Sequence, residues 1–116
     1  MAAYAALVFI VSVIPVAPEF SAHHLDKLAH LCEYLLFAWL LAHAMTVDLP
    51  APGRIALLWV WLWATSYGLF IELVQAILPW RSAELGDAVS NALGAALGTW
   101  VGGVMAARGR RRGARR

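Results

Sequence analysis

The sequence predicts an all-α membrane protein, a bundle of four transmembrane helices at about residues 2–18, 27–47, 54–79 and 87–107 with both termini in the cytoplasm. Three observations lead there. Hydrophobic residues make up 62% of the 116-residue chain and charged ones only 14%, and mean hydropathy is +0.70, far from the balance of a soluble domain. Four apolar segments meet or nearly meet the length of about 20 residues that a spanning helix needs. Six of the nine basic residues stand in the closing run "RGRRRGARR", and the positive-inside tendency keeps such a run in the cytoplasm.

The first segment competes with a cleaved signal peptide. It lacks a basic leading region, and the plausible cut, after "FSA", puts Phe20 where a small residue is wanted, so it is read as a helix. Between the segments fall "PEFSAHHLDK", "DLPAPGR" and "PWRSAELGD", short and rich in Pro, Gly or charge, as turns between antiparallel neighbours are. There is no linker, long repeat or strand pattern, so residues 1–107 form one domain and 108–116 an Arg-rich tail. A nucleic-acid-binding arm is the rival reading of that tail. Without aromatic interleaving, and directly after a spanning segment, it reads as a topology signal in contact with anionic lipid, with no nucleic-acid partner.

Four spans with both ends inside put the loop of Arg54 inside and the other two loops outside. Every unusual polar residue then gathers at the outer ends. At about 100° per residue, Asp26, His30, Glu33 and Phe37 share one face of the second helix. Gly68, Glu72 and Gln75 share one on the third, and Asp87, Asn91, Gly94, Gly98 and Gly102 form one stripe on the fourth. Glu33 and Glu72 lie about 10 Å below the outer helix ends. A charge facing mid-bilayer lipid costs about 2.5–3.5 kcal/mol on insertion scales, so these groups must face the bundle interior. Lys27, Arg81 and a protonated His30 are the cations on hand, and the turn brings Arg81 back toward Glu72 and Asp87.

Gly94, Gly98 and Gly102 offer a groove for another helix backbone, the third or second of the same chain. Glu33 and Glu72 read either as ion-paired struts between helix ends or as part of a site, since ionisable groups within a membrane are functional candidates. Asp26, His30, Glu33 and Glu72 carry metal-compatible side chains, but their spacing matches no dedicated ligand motif, so no metal and no cofactor is assigned. Trp59, Trp61, Trp63, Trp80 and Tyr4 read as interfacial anchors and lipid-facing bulk. His23, His24 and His43 read as non-ligands. Cys32, the single cysteine, reads as a small buried hydrophobe. No phosphate loop, Ser/His/Asp spacing or CxxC pair is present, which removes soluble-enzyme mechanisms.

At "DKLAHLCEYLLFAWLLA" from Asp26 and "YGLFIELVQAILPWRSAELGDAVSNALGAALG" from Tyr67 the sequence resembles the VanZ-like family of small bacterial integral membrane proteins. The shared pattern is Asp-Lys-x-x-His, then Gly-x-x-x-Glu-x-x-Gln, an Arg after a short turn, and Asp-x-x-x-Asn before spaced glycines. Asp26, Lys27, His30, Glu72, Gln75, Arg81, Asp87 and Asn91 match it, whereas Glu33 enters from helical geometry alone. Glu84 to Gly86 depart from it, because relatives more often have Ser or Thr just before the Asp.

The resemblance implies a multi-pass protein of the bacterial cytoplasmic membrane, associated with the cell envelope and with a link to teicoplanin-type glycopeptide resistance. The partners it implies are the bilayer and an envelope lipid, glycan or glycopeptide. Three functions follow. One is a polar pocket that binds an envelope component. A second is an intramembrane enzyme using carboxylate and His acid–base chemistry on a lipid or lipid-linked sugar. The third is a small transporter or complex subunit with the glycine stripe as its seam.

Overall fold

The computed structural model describes residues 1–15, 23–47 and 53–113. They form four helices, α1 (Ala2–Val13), α2 (His23–Val47), α3 (Arg54–Ile77) and α4 (Leu85–Gly113), and no strand is present among the described residues. The expected cut after Ala22 and most of the turn between α2 and α3 lie outside them.

Prolines set two of the helix ends. Ile14 and Leu78, each directly before a proline, are extended, with ψ of 140° and 127°, because a following proline ring disfavours the helical conformation. This corrects the expected first span over 2–18, since α1 has only 12 residues, about 18 Å of helix against a hydrocarbon core of about 30 Å. The other three helices are long and apolar enough to cross a membrane. The Arg-rich run also departs from a plain tail, because α4 continues to Gly113 with Arg110, Arg111 and Arg112 in its last turn. Cations at a helix C-terminus complement its dipole.

α2 and α4 form the most extensive pair, α3 packs on α4, and α1 lies across α3 and α2. Lipid supplies no hydrophobic drive between helices, so close backbone approach must hold them together. Gly94 and Gly98 provide it, since a Cβ at either position would overlap the backbone carbonyl oxygen of Leu31 or Leu35 on α2. The buried face of α4 is therefore Asp87, Asn91, Gly94, Ala95, Gly98, Thr99 and Gly102. On the other side of α2 an aromatic layer fills the space to α1 and α3, with the Phe37 ring 5.4 Å from Tyr67, 6.0 Å from Tyr4 and 6.1 Å from Tyr34. Leu28, Trp63, Leu73, Ile77 and Trp100 point outward and are exposed, as helices in a bilayer present their apolar side chains.

Three indole and phenol groups that the sequence assigns to the lipid interface instead tie helices together. Tyr4 Oη donates to Glu33 O at 3.1 Å, Trp61 Nε1 to Ala92 O at 3.1 Å and Trp80 Nε1 to Val13 O at 3.0 Å. Trp59 and Trp63 are exposed. Cys32 is exposed on α2 rather than buried.

Candidate functional site

The polar residues picked out by helical spacing lie at the end of the bundle where α3 turns into α4, and they divide into two groups. The first group holds α1. Gln75 Nε2 donates to Ser12 O at 2.9 Å and Arg81 Nη2 to Val11 O at 3.2 Å, beside the Trp80 bond to Val13. The last carbonyls of a helix have no partner within it, and here three side chains from the end of α3 and the turn beyond supply one each. The expected course of Arg81 toward Glu72 and Asp87 is therefore corrected, since its hydrogen bond runs to α1 and the carboxylate whose charge it meets is that of Glu33.

The second group joins α2, α3 and α4. His30 Nδ1 lies 3.0 Å from Asn91 Oδ1, with both residues buried. An amide oxygen only accepts, so Nδ1 is the donor in this contact. Lys27 Nζ stands 2.9 Å from Glu84 Oε2 and 3.5 Å from Asp87 Oδ1. Glu72 Oε2 accepts from the backbone N–H of Glu84 at 3.3 Å, and the Glu84 carbonyl accepts from the N–H groups of Asp87 and Ala88 at 3.0 and 3.3 Å. Glu72 thus fixes the segment from which α4 starts. Its other oxygen, Oε1, is buried without a hydrogen-bond partner, as are Asp87 Oδ1 and Asn91 Nδ2.

Asp26, His30 and Asp87 converge, each offering one metal-ligating atom within 4.8 Å of the others. Glu72 adjoins them, meeting the charges of His30, Asp87 and Asp26, and Glu33 meets those of His30, Arg81 and Asp26. His30 is thus the residue around which the carboxylates of α2, α3 and α4 gather. Burial is deep, with Glu72 6% exposed, Asp87 4% and Asn91 1%, while Asp26 and Lys27 are half-buried at the rim. Gly68 is buried at the crossing of α3 with its neighbours, where a Cβ would press on Tyr34 and Asn91. Far from this end, His43 stacks on Trp39 with ring centroids 6.2 Å apart.

Sequence reasoning leaves Glu84 out of the site because it departs from the motif and falls in the turn, yet it pairs with Lys27 and contacts Glu72. Its signal is the lysine itself, a cation at a helix start that needs an anion from elsewhere in the chain. Tyr34 also escapes sequence reasoning. It is wholly buried between the aromatic layer and Gly68, on a face the polar pattern does not mark.

Comparison with known families matches residues 2–106 to the family described as VanZ/LLP1. No curated protein and no solved structure matches the chain.

Proposed function

This chain belongs to the VanZ/LLP1 family, and we propose that it is a multi-pass protein of the bacterial cytoplasmic membrane whose outward-facing polar cluster binds a component of the cell envelope. The observation that carries this reading is the convergence of Asp26, His30, Glu72, Asp87 and Asn91 at one end of the bundle, with Glu72 Oε1 buried and lacking a hydrogen-bond partner and Asp87 Oδ1 3.5 Å from Lys27 Nζ. Buried polar atoms are ordinarily satisfied, and exceptions call for a partner or a role. A brace between helices would need only its own internal pairs. The Arg-rich end of α4 lies at the opposite end of that helix, which under the positive-inside tendency turns the cluster outward.

A lipid-linked or glycopeptide-like molecule suits the position, because the cluster sits at the helix ends and the helices that carry it expose apolar side chains such as Leu28, Leu73 and Ile77. Glycopeptide susceptibility is the phenotype this reading attaches to the site. The test is complementation of a deletion strain at matched protein level. Asp87→Asn and Glu72→Gln should lose the wild-type effect on teicoplanin susceptibility or envelope integrity, and full function in both would refute the pocket.

A second reading is favoured by one observation. The buried His30 stands beside the carboxyl groups of Glu72 and Asp87, an arrangement that acid–base chemistry on a lipid or lipid-linked sugar can use. Turnover of an envelope lipid by purified protein, abolished by His30→Gln, would move the assignment there. The glycine stripe gives less support to a transporter or subunit seam, because Gly94 and Gly98 are already filled by α2 of the same chain.

A further inference from the structure

We propose that Asp26, His30 and Asp87, with the buried Glu72 of α3 beside them, bind one divalent transition-metal cation of the zinc or manganese type. The inference deepens the reading above and rests on this cluster being a site rather than a brace. The sequence conceals it, because the ligands come from three helices and match no spacing motif.

Four features of the cluster argue for it. Asp26, His30 and Asp87 each place a ligand atom within 4.8 Å of the others; around a single ion with bonds of about 2.0–2.2 Å, ligand atoms stand about 3 to 4 Å apart, so small side-chain rotations close the set. The His30 ring is oriented as a ligand's would be. His30 Nδ1 lies 3.0 Å from Asn91 Oδ1, the kind of outer hydrogen bond that in metal-binding imidazoles holds one ring nitrogen and presents the other to the ion. Independently, Glu72 is 6% exposed, its Oε1 has no hydrogen-bond partner, and it meets the charges of His30, Asp87 and Asp26.

The fourth feature is charge. Carboxyl groups drawn together at a buried helix end either keep their protons or take up a cation. The ammonium of Lys27 makes its short contact, 2.9 Å, with Glu84 and lies farther from Asp87, at 3.5 Å. One ammonium thus faces two carboxylates, Glu84 and Asp87, with the carboxyl groups of Asp26 and Glu72 beside them. One imidazole nitrogen with carboxylate oxygens suits zinc, manganese or ferrous iron better than magnesium or calcium, which favour all-oxygen shells.

The test uses full-length protein, purified without a polyhistidine tag, stripped with chelator and held in lipid nanodiscs. Cobalt(II) titration followed by visible absorption should saturate at one ion per chain and be reversed by zinc. Asp26→Asn, at the half-buried rim, and Asp87→Asn should each weaken binding at least about tenfold, and Asn91→Leu, which removes only the outer hydrogen bond, about 10- to 100-fold. Helical content and elution volume establish that each variant is folded, and should Asp87→Asn fail to fold, Asp26→Asn decides. Absence of a saturable cobalt spectrum in the wild type would overturn the proposal. So would binding that survives Asp26→Asn but is lost in the His23→Ala/His24→Ala variant. If metal fails to bind while Asp87→Asn still loses its phenotype at matched level, the metal falls and envelope binding stands; binding with an unchanged phenotype has the reverse meaning.

Discussion

His30 of α2 and Asn91 of α4 meet through Nδ1 and Oδ1 at 3.0 Å, both buried, where the two most closely packed helices carry their polar ends. This contact joins the packing of the bundle to its polar site, since it fixes the ring around which Asp26, Glu33, Glu72 and Asp87 gather. Hydrogen bonds between membrane helices contribute about 0.6 kcal/mol on average and about 1.7 at most in double-mutant cycles. A His30→Ala and Asn91→Ala cycle should give a coupling within that range, read by reversible unfolding in mixed micelles. Additive effects would mean the pair contributes no interaction of its own.

The glycines of α4 should respond to substitution with opposite signs. Gly98→Leu forces a side chain into the α2 carbonyl at Leu35, and overpacking of that kind, against backbone that cannot yield, should cost more than about 3 kcal/mol. A Cβ at Gly109 would meet nothing within 4 Å, and the residue lies inside α4. Gly109→Ala should therefore stabilise the helix by about 0.5–1 kcal/mol. Folded yield and unfolding midpoint read both. By the same geometry, Gly98→Cys should not form symmetric disulfide dimers in membranes.

Gln75, Trp80 and Arg81 should act on α1 rather than on the cluster. Each donates to one carbonyl among Val11, Ser12 and Val13, a bond worth about 1 kcal/mol. Gln75→Leu combined with Arg81→Ala should speed hydrogen exchange in α1 while exchange at the α2–α4 contact stays unchanged. Equal acceleration in α4 would refute this division.

Removing Lys27 should do more harm than removing its closest partner. The Lys27–Glu84 pair is about one-third exposed on both sides, and such pairs contribute about 0–1 kcal/mol. Glu84→Gln should fall in that range. Lys27→Met also takes the cation from Asp87, whose side chain is 5% exposed, and stranding a buried charge costs about 3–5 kcal/mol. Unfolding midpoints of the two variants decide it.

With Cys32 replaced by Ala, a cysteine at Ser82 should react with a membrane-impermeant maleimide in intact cells, and one at Arg112 only after permeabilisation. The opposite pattern would turn the cluster toward the cytoplasm.

Much of this is legible in the residues. Helical spacing alone places Asp87, Asn91, Gly94, Gly98 and Gly102 on one face, and that face is buried against α2. The same arithmetic puts Glu72 and Gln75 on one stripe, and both are buried. Spacing within a helix cannot say which neighbour a side chain will meet. Gln75 and Arg81 therefore read as companions of Glu72, although α1 stops short and leaves its last carbonyls for them to satisfy. The extent of α1 is hidden because hydropathy runs on through Pro15 while the helical backbone does not. Glu84 escapes notice because its partner lies on a distant helix, and the approach of Asp87 to Asp26 and His30 has the same cause.

Whether the polar end holds a molecule is the central question, and mass spectrometry of what co-purifies with the protein from its own membrane asks it most directly. An envelope lipid or lipid-linked glycan enriched with the wild type, and depleted from folded Asp87→Asn protein purified in parallel, is the predicted result. Identical profiles for the two proteins would contradict it, leaving the cluster as a brace between three helices.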